Sequence, residues 1–394
     1  MRLSRRIASI SESMTLAISS QAKAMQAKGI DVVDFGVGEP DFDTPAHIKE
    51  AAIKAINDGY TKYTPTPGSL ELRQAIARKL KNDNQLDYDA ADICVSCGAK
   101  HSLFNVILAL CSEGEEVLIP SPYWLSYPEM VKAAGAESAY LPTDEANTFK
   151  ISPRQLDDAI TPLTKLLILN SPSNPTGSVY TGEELKELAR VIVERKIHVL
   201  SDEIYETLVY DGVRHVSIGS LGPDIKARTI TVNGFSKSYA MTGWRLGYAA
   251  GPRDVMKAAI QLQSHSTSNP CSISQKAGLA ALAGDQSCVA DMTAEFNRRR
   301  ILIVKGLRAI RGVSCVEPKG AFYALPNVSS FFGKTIAGKK IANSMDFAQV
   351  CLDQAKIAVV PGNAFGDSRF IRLSYATSPA NIQEGLNRLA KLLS

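Results

Sequence analysis

The chain has 394 residues, more than one ordinary hydrophobic core contains, which predicts two domains of unequal size. Its hydrophobic fraction of 45% and charged fraction of 21% are typical of a soluble globular protein. The net charge of +4 arises from 44 basic and 40 acidic residues that are spread along the chain without a basic block, which argues against a nucleic-acid partner.

Membrane insertion and secretion are also disfavoured by the sequence. The N-terminal stretch MRLSRRIASISESM has arginines but lacks the apolar run of a secretory signal, and no stretch of ~18 apolar residues follows. Seven cysteines at irregular spacing favour free thiols in a reducing compartment. Cys94 and Cys97 form a C-x-x-C without a second pair or a histidine cluster, so we interpret it as incidental. We expect a cytoplasmic protein with no membrane partner and no metal.

The middle of the chain alternates short apolar runs with amphipathic stretches. In chain order, strand-like runs occur in ADICVS, EEVLIP, TKLLILN, IHVLS, RTITVNG and GWRLGYAA. Helical periodicity lies between them, as in EELKELARVIVERK. Strands that alternate with helices predict an α/β fold with a doubly wound, parallel sheet and helices on both faces.

The two ends of the chain differ from this middle. AEFNRRRILIVKGLRAI has the periodicity of a long amphipathic helix, whereas GAFYALPNV, IAVVPGNAF and FIRLSYATS are strand-like. We predict a large domain over residues 46–285, a smaller α+β domain over residues 286–394, and an N-terminal segment, residues 1–45, that joins the smaller domain.

Ligands of doubly wound sheets bind beyond the carboxyl ends of the strands, so the residues after each apolar run are the candidates. Gly98, Ala99 and Lys100 follow the first strand and open a helix, whose N-terminus can bind an anion. Any tight strand-to-helix turn has the same pattern. Trp124 follows the next strand, where simple packing also explains an aromatic residue.

Later strand ends carry an amide, an acid and an amine. Asn174 lies in a loop that turn chemistry alone explains, and Asp202 could be an ordinary helix N-cap. Lys237 could be a solvated surface charge, but in a dry, cationic neighbourhood its pKa would fall and it would become a nucleophile. Together, these groups match the needs of pyridoxal phosphate: a phosphate cradle, a stacking ring, a carboxylate for the ring nitrogen, donors for the phenolic oxygen and an amine for the aldehyde.

The stretch GFSKSYAMTGWRLG resembles the lysine signature of the class I aminotransferases of fold type I. GVGEPDFDTP, YTPTPGSLELR, SPYWLSYPEM, NSPSNPTG, SDEIYE and FIRLSYATS resemble that family in the expected order, over nearly the whole chain. The similarity is strongest to the bacterial aspartate aminotransferase branch that includes enzymes acting on prephenate. It implies a large doubly wound, mixed, mostly parallel sheet domain plus a smaller α+β domain.

The resemblance also implies a role for each candidate toward the cofactor. Lys237 would bond to the aldehyde and later move the proton, while Asp202 would pair with the ring nitrogen. The remaining cofactor contacts are implied for Gly98, Ala99, Lys100, Arg245 and Ser236 at the phosphate, Trp124 on the ring, and Asn174 and Tyr205 at the phenolic oxygen. Tyr63 would reach the phosphate of a partner subunit's cofactor, which implies a homodimer with shared sites.

Substrate contacts follow from the same resemblance. Arg372 would bind the α-carboxylate that amino acids and 2-oxo acids share, with the Gly38 backbone beside it and Trp124 and Asn174 facing the substrate. Lys100, with Thr15, would bind the distal carboxylate of an acidic substrate.

The implied reaction is ping-pong transamination between aspartate or glutamate and oxaloacetate or 2-oxoglutarate. Prephenate or aromatic amino acids are the alternative substrates. Decarboxylases, lyases and synthases share the fold type, and a non-catalytic pyridoxal-phosphate-binding domain is the alternative from another class.

Overall fold

The computed structural model describes residues 4–394, apart from the side chains of residues 5 and 6; residues 1–3 of the predicted N-terminal segment lie outside it. Its largest sheet has seven strands. In spatial order they are Ile93–Ser96, Gly247–Ala250, Thr229–Gly234, His198–Asp202, Thr164–Asn170, Glu116–Ser121 and Glu137–Pro142. Gly247–Ala250 runs antiparallel to both of its neighbours, and the other pairings are parallel. The predicted mixed, mostly parallel sheet is therefore confirmed.

Alternating residues of the central strands pack against helices on opposite faces. Ile168 and Leu200 contact one apolar cluster, which helices Ala99–Leu110 and Arg253–Ser264 complete. Leu167 and Leu169 contact the other, with helix Gly182–Arg195. This arrangement explains why the central runs are apolar throughout, because a parallel strand is buried on both faces.

The α-helices of the described residues account for most of the remaining regular structure. They are Arg5–Ala8, Met14–Ala27, Ala46–Asn57, Leu70–Asn84, Ala99–Leu110, Ser126–Ala134, Pro153–Ala159, Gly182–Arg195, Pro223–Lys226, Arg253–Ser264, Ser272–Ala283, Ser287–Ala309, Ser344–Val350 and Pro379–Leu393. Local capping fixes several of their starts: the Thr181 hydroxyl accepts from the Glu184 amide at 3.3 Å, and the Glu184 carboxylate accepts from the Thr181 amide at 2.8 Å. None of these helices is both long and apolar enough to cross a bilayer.

A second, smaller set of strands forms from the C-terminal hundred residues. Ile371–Ser374 pairs antiparallel with Val360–Pro361 on one side and with Tyr323–Ala324 on the other. Helices Ser287–Ala309 and Pro379–Leu393 pack on these strands around a separate apolar core. A hairpin of Thr335–Ile336 with Lys339–Lys340 adds two short strands to this region.

The N-terminal segment connects both parts of the molecule. Its strand Val33–Asp34 pairs in parallel with Ile357–Ala358 of the C-terminal region. A few residues later, Thr44 Oγ1 donates to the Ala240 carbonyl at 2.7 Å and accepts from Trp244 Nε1 at 2.9 Å. The segment therefore crosses over the loop that carries the candidate lysine. The exact domain boundaries stay a prediction.

Candidate active site

One cavity of about 380 Å³ opens at the carboxyl ends of the central parallel strands. Of the residues that the sequence singled out, it is lined by Thr15, Gly38, Ala99, Lys100, Trp124, Asn174, Asp202, Tyr205, Ser236, Lys237, Arg245 and Arg372. Gly98 lies directly beside this lining, next to Ala99. Tyr63 does not line the cavity; its side chain is 91% exposed on the surface.

Lys237 follows strand Thr229–Gly234 and points into this cavity. Its Nζ donates to the Gly38 carbonyl at 2.5 Å and lies 5.7 Å from the centre of the Tyr205 ring. Burial lowers the pKa of Lys237 to about 8, because charge is costly away from water; the carboxylates of Glu39 and Asp202 oppose this shift, and the cations Arg372 and Arg245 add to it. An amine with this pKa is partly neutral near neutral pH, so it can act as a nucleophile and as a base.

Asp202 ends the central strand His198–Asp202 and is 4% exposed. The Tyr127 hydroxyl donates to its Oδ2 at 2.7 Å, and the Ile204 amide donates to its Oδ1 at 3.3 Å. Burial raises the pKa of Asp202 to about 6 in spite of these two donors. A cationic group beside this carboxylate would favour its charged form.

A cradle suited to an anion lies at the start of helix Ala99–Leu110. Gly98 precedes the helix with φ of +91°, and a Cβ there would approach Arg245 Nη2 to 2.6 Å, so the turn requires glycine. Arg245 itself is held by a 2.8 Å bond from its Nη1 to the Thr242 carbonyl. First-turn amides of a helix point outward, and with a guanidinium beside them they form an anion-binding site.

Arg372 is 2% exposed and lies on the opposite wall, in the strand Ile371–Ser374. Its Nη1 donates to Asn174 Oδ1 at 3.0 Å and its Nη2 donates to the Gly36 carbonyl at 2.8 Å. Among the described residues, no acceptor contacts its Nε, and no carboxylate forms an ion pair with it. Burial lowers the pKa of Arg372, which is the electrostatic signature of a buried cation paired with neutral groups.

Lys100 and Thr15 line the cavity from two different helices. Lys100 Nζ lies 4.8 Å from the centre of the Trp124 ring, and burial, together with the charge of Arg245, lowers the Lys100 pKa. Thr15 lines the same cavity from helix Met14–Ala27, and its hydroxyl bonds to Ser13 Oγ at 2.9 Å. Ser19 and Lys23, one and two turns later, line the cavity as well; the sequence analysis missed them although their spacing matches one helix face.

Two tyrosines of the site were also missed. Tyr127 lies in helix Ser126–Ala134, three residues after Trp124, and its hydroxyl donates to the Asp202 carboxylate. Tyr323 bonds through its hydroxyl to the Tyr205 hydroxyl at 2.8 Å. Its signal in the sequence is only that of an aromatic residue within a buried strand.

Comparison with known proteins identifies the same family that the sequence motifs resemble. The family "Aminotransferase class I and II" matches residues 30–389. An aspartate aminotransferase of Geobacillus stearothermophilus is 49% identical over 393 residues, covering 100% of this chain and 99% of the relative. An aspartate/prephenate aminotransferase of Nitrosomonas europaea is 46% identical over 397 residues, covering 100% of both chains. The chain belongs to the aminotransferase class I and II family.

Solved structures of aspartate aminotransferases have the same fold as this chain. The crystal structure of the aspartate aminotransferase from Rhizobium meliloti has a TM-score of 0.96 and 45% identity, covering 100% of this chain and 99% of that one. The aspartate aminotransferase from Thermus thermophilus with maleate has a TM-score of 0.94 and 42% identity, covering 100% of both chains. The fold predicted for this chain, that of a fold type I aminotransferase, is therefore confirmed.

Proposed function

We propose that this protein is a pyridoxal-phosphate-dependent aminotransferase that moves the amino group between aspartate or glutamate and oxaloacetate or 2-oxoglutarate. One observation carries the proposal. A single cavity holds a partly buried amine of lowered pKa, Lys237, and a buried guanidinium, Arg372, whose Nε has no acceptor among the described residues. Those are the groups that a transaminase needs for the cofactor aldehyde and for the α-carboxylate of its substrates.

The residues of the cavity fit pyridoxal phosphate. The glycine turn at Gly98, which a Cβ would fill against Arg245, suits the phosphate, and the buried Asp202 suits a protonated ring nitrogen. The other contacts that we assign are Ala99, Lys100 and Ser236 to the phosphate, Trp124 to the ring face, Asn174 and Tyr205 to the phenolic oxygen, and Lys237 to the aldehyde. When bound, this cofactor supplies an electron sink for the carbanion that forms at the substrate's α-carbon.

The chain's own residues perform the positioning and the proton transfer. Arg372 binds the α-carboxylate, because its fork geometry matches two carboxylate oxygens. Lys237 Nζ takes the proton from the substrate's α-carbon as a base and, as an acid, would deliver it to the aldehyde-derived carbon of the bound cofactor; with the 2-oxo acceptor the same transfer runs in reverse. The Gly38 carbonyl, 2.5 Å from Nζ, orients the amine between these tasks. Amino donor and 2-oxo acceptor use the same site in turn, so we expect ping-pong kinetics.

The substrate assignment depends on the far end of the cavity. Lys100 is a solvent-accessible cation of the cavity lining that contacts the face of Trp124 and has no carboxylate partner among the described side chains. A second carboxylate on the substrate would compensate its charge, with Thr15 nearby as a donor. The names of the relatives support acidic substrates, and the related Thermus thermophilus enzyme was solved with maleate, a dicarboxylate. Prephenate also has two carboxylates, and the Nitrosomonas europaea relative is named for it.

The experiment that tests this assignment follows the half-reaction with each amino acid in turn, for the wild type and for Lys100→Ser. We expect kcat/KM for aspartate to fall roughly 10–150-fold, because a charge-assisted hydrogen bond contributes ~1.5–3 kcal/mol. Alanine and phenylalanine, which lack the distal carboxylate, serve as matched control substrates and should change little. An equal loss for acidic and neutral substrates would assign Lys100 to the phosphate instead.

We also propose a homodimer whose active sites contain residues of both subunits. Large apolar side chains are exposed in one short region: Ile53 at 57%, Ile56 at 52%, Tyr63 at 91% and Leu70 at 53%. A second copy of the chain that covers this region would place Tyr63 against the partner's cofactor phosphate. The seven cysteines, all unpaired, support a reducing, cytoplasmic location.

Mixed dimers test the shared site. A dimer of one Tyr63→Phe chain and one Lys237→Ala chain contains one complete site if Tyr63 acts across the interface. We expect such dimers to retain cofactor at one site as tightly as the wild type does, whereas Tyr63→Phe homodimers lose it faster on dialysis. A wild-type chain paired with Lys237→Ala is the matched control. Failure of the mixed dimer to recover that tight site would show that Tyr63 does not act in trans.

A further inference from the structure

Two buried phenols meet at the junction of the two parts of the molecule. Tyr205 follows the central strand of the large sheet, and Tyr323 lies in a strand of the C-terminal region. Their hydroxyl oxygens are 2.8 Å apart, and their rings pack edge to face at a centroid distance of 5.8 Å. They are 3% and 1% exposed, so water does not compete for this bond.

Tyr323 also contacts two other groups of the site. The guanidinium carbon of Arg372 lies 4.4 Å from the centre of the Tyr323 ring. The Tyr323 hydroxyl packs against Gly38 so closely that a Cβ there would lie 2.9 Å from it. The carbonyl of the same Gly38 accepts from Lys237 Nζ. A single side chain thus touches the carboxylate-binding arginine, the phenol assigned to the cofactor and the glycine that holds the lysine.

The direction of the bond between the phenols follows from counting protons. Each hydroxyl has one proton to donate and can also accept. If Tyr205 donates to the cofactor's phenolic oxygen, its proton is committed, so the 2.8 Å bond requires Tyr323 as the donor. Donation into the Tyr205 oxygen polarises its O–H bond, which makes Tyr205 a stronger donor in turn.

Arg372 makes Tyr323 a better donor. A cation over a phenol ring stabilises negative charge on that ring, so it weakens the hold of the hydroxyl on its proton. A carboxylate bound to Arg372 would neutralise that cation and reverse the effect. The strength of the consecutive hydrogen bonds from Tyr323 to Tyr205 and from Tyr205 to the cofactor therefore depends on whether a carboxylate is bound to Arg372.

Resting on the proposed function, we propose that Tyr323 is a positioning residue that transmits carboxylate binding at Arg372 to the cofactor through Tyr205. Its hydroxyl fixes Tyr205 as a donor to the phenolic oxygen, and its ring senses the charge on Arg372. Substrate binding then weakens that donation and increases the basicity of the cofactor–lysine linkage, which is the group that must carry a proton when the substrate amine attacks. The other ionisable groups around the pair and the lysine are Lys237, Asp202, Asp34, Glu39 and Arg245, and they remain in the test variant.

The test is Tyr323→Phe, which deletes the hydroxyl and keeps the ring under Arg372. The readout is the pH midpoint of the visible absorption band of the cofactor-loaded protein, measured without turnover. We expect the midpoint to rise by about a few tenths of a pH unit, because one hydrogen bond strengthens the next by only roughly 10–30%. Succinate, an unreactive dicarboxylate, should raise the wild-type midpoint, and that rise should be smaller in Tyr323→Phe.

Two further variants make the result specific. Tyr375→Phe is the matched control, since Tyr375 is buried in the same region but its hydroxyl donates to the Ala321 carbonyl at 3.1 Å; its midpoint should equal that of the wild type. In the Tyr205→Phe background, Tyr323→Phe should add no further shift, because Tyr323 acts through Tyr205. A full additional shift in that background would overturn the proposal, as would a Tyr323→Phe midpoint and succinate response equal to those of the wild type. Absence of any pH-dependent band in the loaded wild type would instead count against the proposed function itself.

Discussion

Asp202 and Glu203 are adjacent acids, 4% and 1% exposed, yet their surroundings differ in kind. Asp202 faces the cavity, where the partly buried Lys237 and the buried Arg372 form no ion pair with a carboxylate of the described residues. Glu203 faces the other side of the strand. Its Oε1 accepts from Ser201 Oγ at 2.8 Å, and its Oε2 accepts from Ser217 Oγ at 2.6 Å.

Further hydrogen bonds and an ion pair surround Glu203 and the neighbouring Glu206. His215 Nε2 lies 2.9 Å from Glu203 Oε2, and a second acid, Glu206, forms an ion pair with Lys79. Asn84 Nδ2 donates to Glu206 Oε2 at 2.7 Å. Burial alone would raise the pKa of Glu206, but Lys79, His215 and the bond from Asn84 hold it below its usual value.

The contrast separates two uses of buried charge. Behind the strand, each carboxylate has a cation or several donors within the protein, so the network needs no ligand and contributes to structure. In the cavity, the hydrogen-bond acceptors of Lys237 and Arg372 are neutral carbonyl and amide oxygens, so an anionic molecule bound there would compensate charge that the protein compensates only in part. Substitutions in the cavity should therefore mainly change turnover, whereas substitutions in the network behind the strand should mainly change the free energy of unfolding.

The largest effect is expected for Lys237→Ala. Its polar contact within the protein is the Gly38 carbonyl, so the fold should be kept and the melting temperature should stay close to that of the wild type. Turnover should fall by well over the ~10²–10⁴-fold attributed to acid–base catalysis, because the nucleophile is lost as well. Stopped-flow half-reactions measure this loss. Transamination at the wild-type rate, without added amine, would refute the assignment of Lys237.

Behind the strand, Glu206→Ala should have the opposite profile. Removing this acid takes the close carboxylate partner from Lys79, which keeps only the Asn84 side-chain oxygen at 2.6 Å and the exposed Asp83 at 3.9 Å, and this loss should cost ~3–5 kcal/mol in the free energy of unfolding. Turnover per folded molecule should stay within a few-fold of the wild type, since Glu206 does not line the cavity. Urea denaturation measures the first quantity and active-site titration the second.

Asp83→Asn is the matched control for that variant. Asp83 also lies near Lys79, at 3.9 Å, but its side chain is 61% exposed, so its removal should cost less than ~1 kcal/mol. Equal losses of stability from Asp83→Asn and Glu206→Ala would contradict the distinction between a closed buried network and a surface charge.

Asp202→Asn tests the cavity side through both activity and pH. Turnover should fall by ~10²–10³-fold, as for the removal of one strong electrostatic stabiliser. The folded-state pKa of about 6 lies above that of an unfolded chain, so the protonated acid favours folding below pH 4 and this contribution is lost as pH rises through 6. Cofactor-free Asp202→Asn should thus be more stable than the wild type by ~2–3 kcal/mol at pH 7.5, with the difference disappearing near pH 4. An identical pH profile for both proteins would contradict the buried, unpaired state of this acid.

Much of the candidate site could be predicted from the sequence because it follows strand ends. Asp202 and Lys237 come directly after apolar runs, and the doubly wound topology brings such positions to one edge of the sheet. The edge strand Glu137–Pro142 was not predicted, because its residues are only partly buried and lack a continuous apolar run. Family resemblance, rather than pattern, singled out Arg372 and Thr15, which come from chain segments distant in sequence.

The rest depends on three-dimensional packing. The lowered pKa of Lys237 requires its burial, which no local pattern encodes. Tyr127 and Tyr323 act through their hydroxyls, yet in the sequence they are indistinguishable from core aromatic residues. Tyr63 belongs, under our proposal, to a neighbouring subunit's site, so neither one sequence nor one chain contains its partner.

The chain has two tryptophans, whose intrinsic fluorescence can report on the candidate site. Trp124 lines the cavity, and Trp244, adjacent to Arg245, donates to Thr44 in the segment that crosses the lysine loop. Both indoles therefore lie in or next to the candidate site, and no distant tryptophan contributes to the fluorescence. Quenching on cofactor loading, followed by a change on addition of a dicarboxylate, would report binding and loop movement in the unlabelled protein.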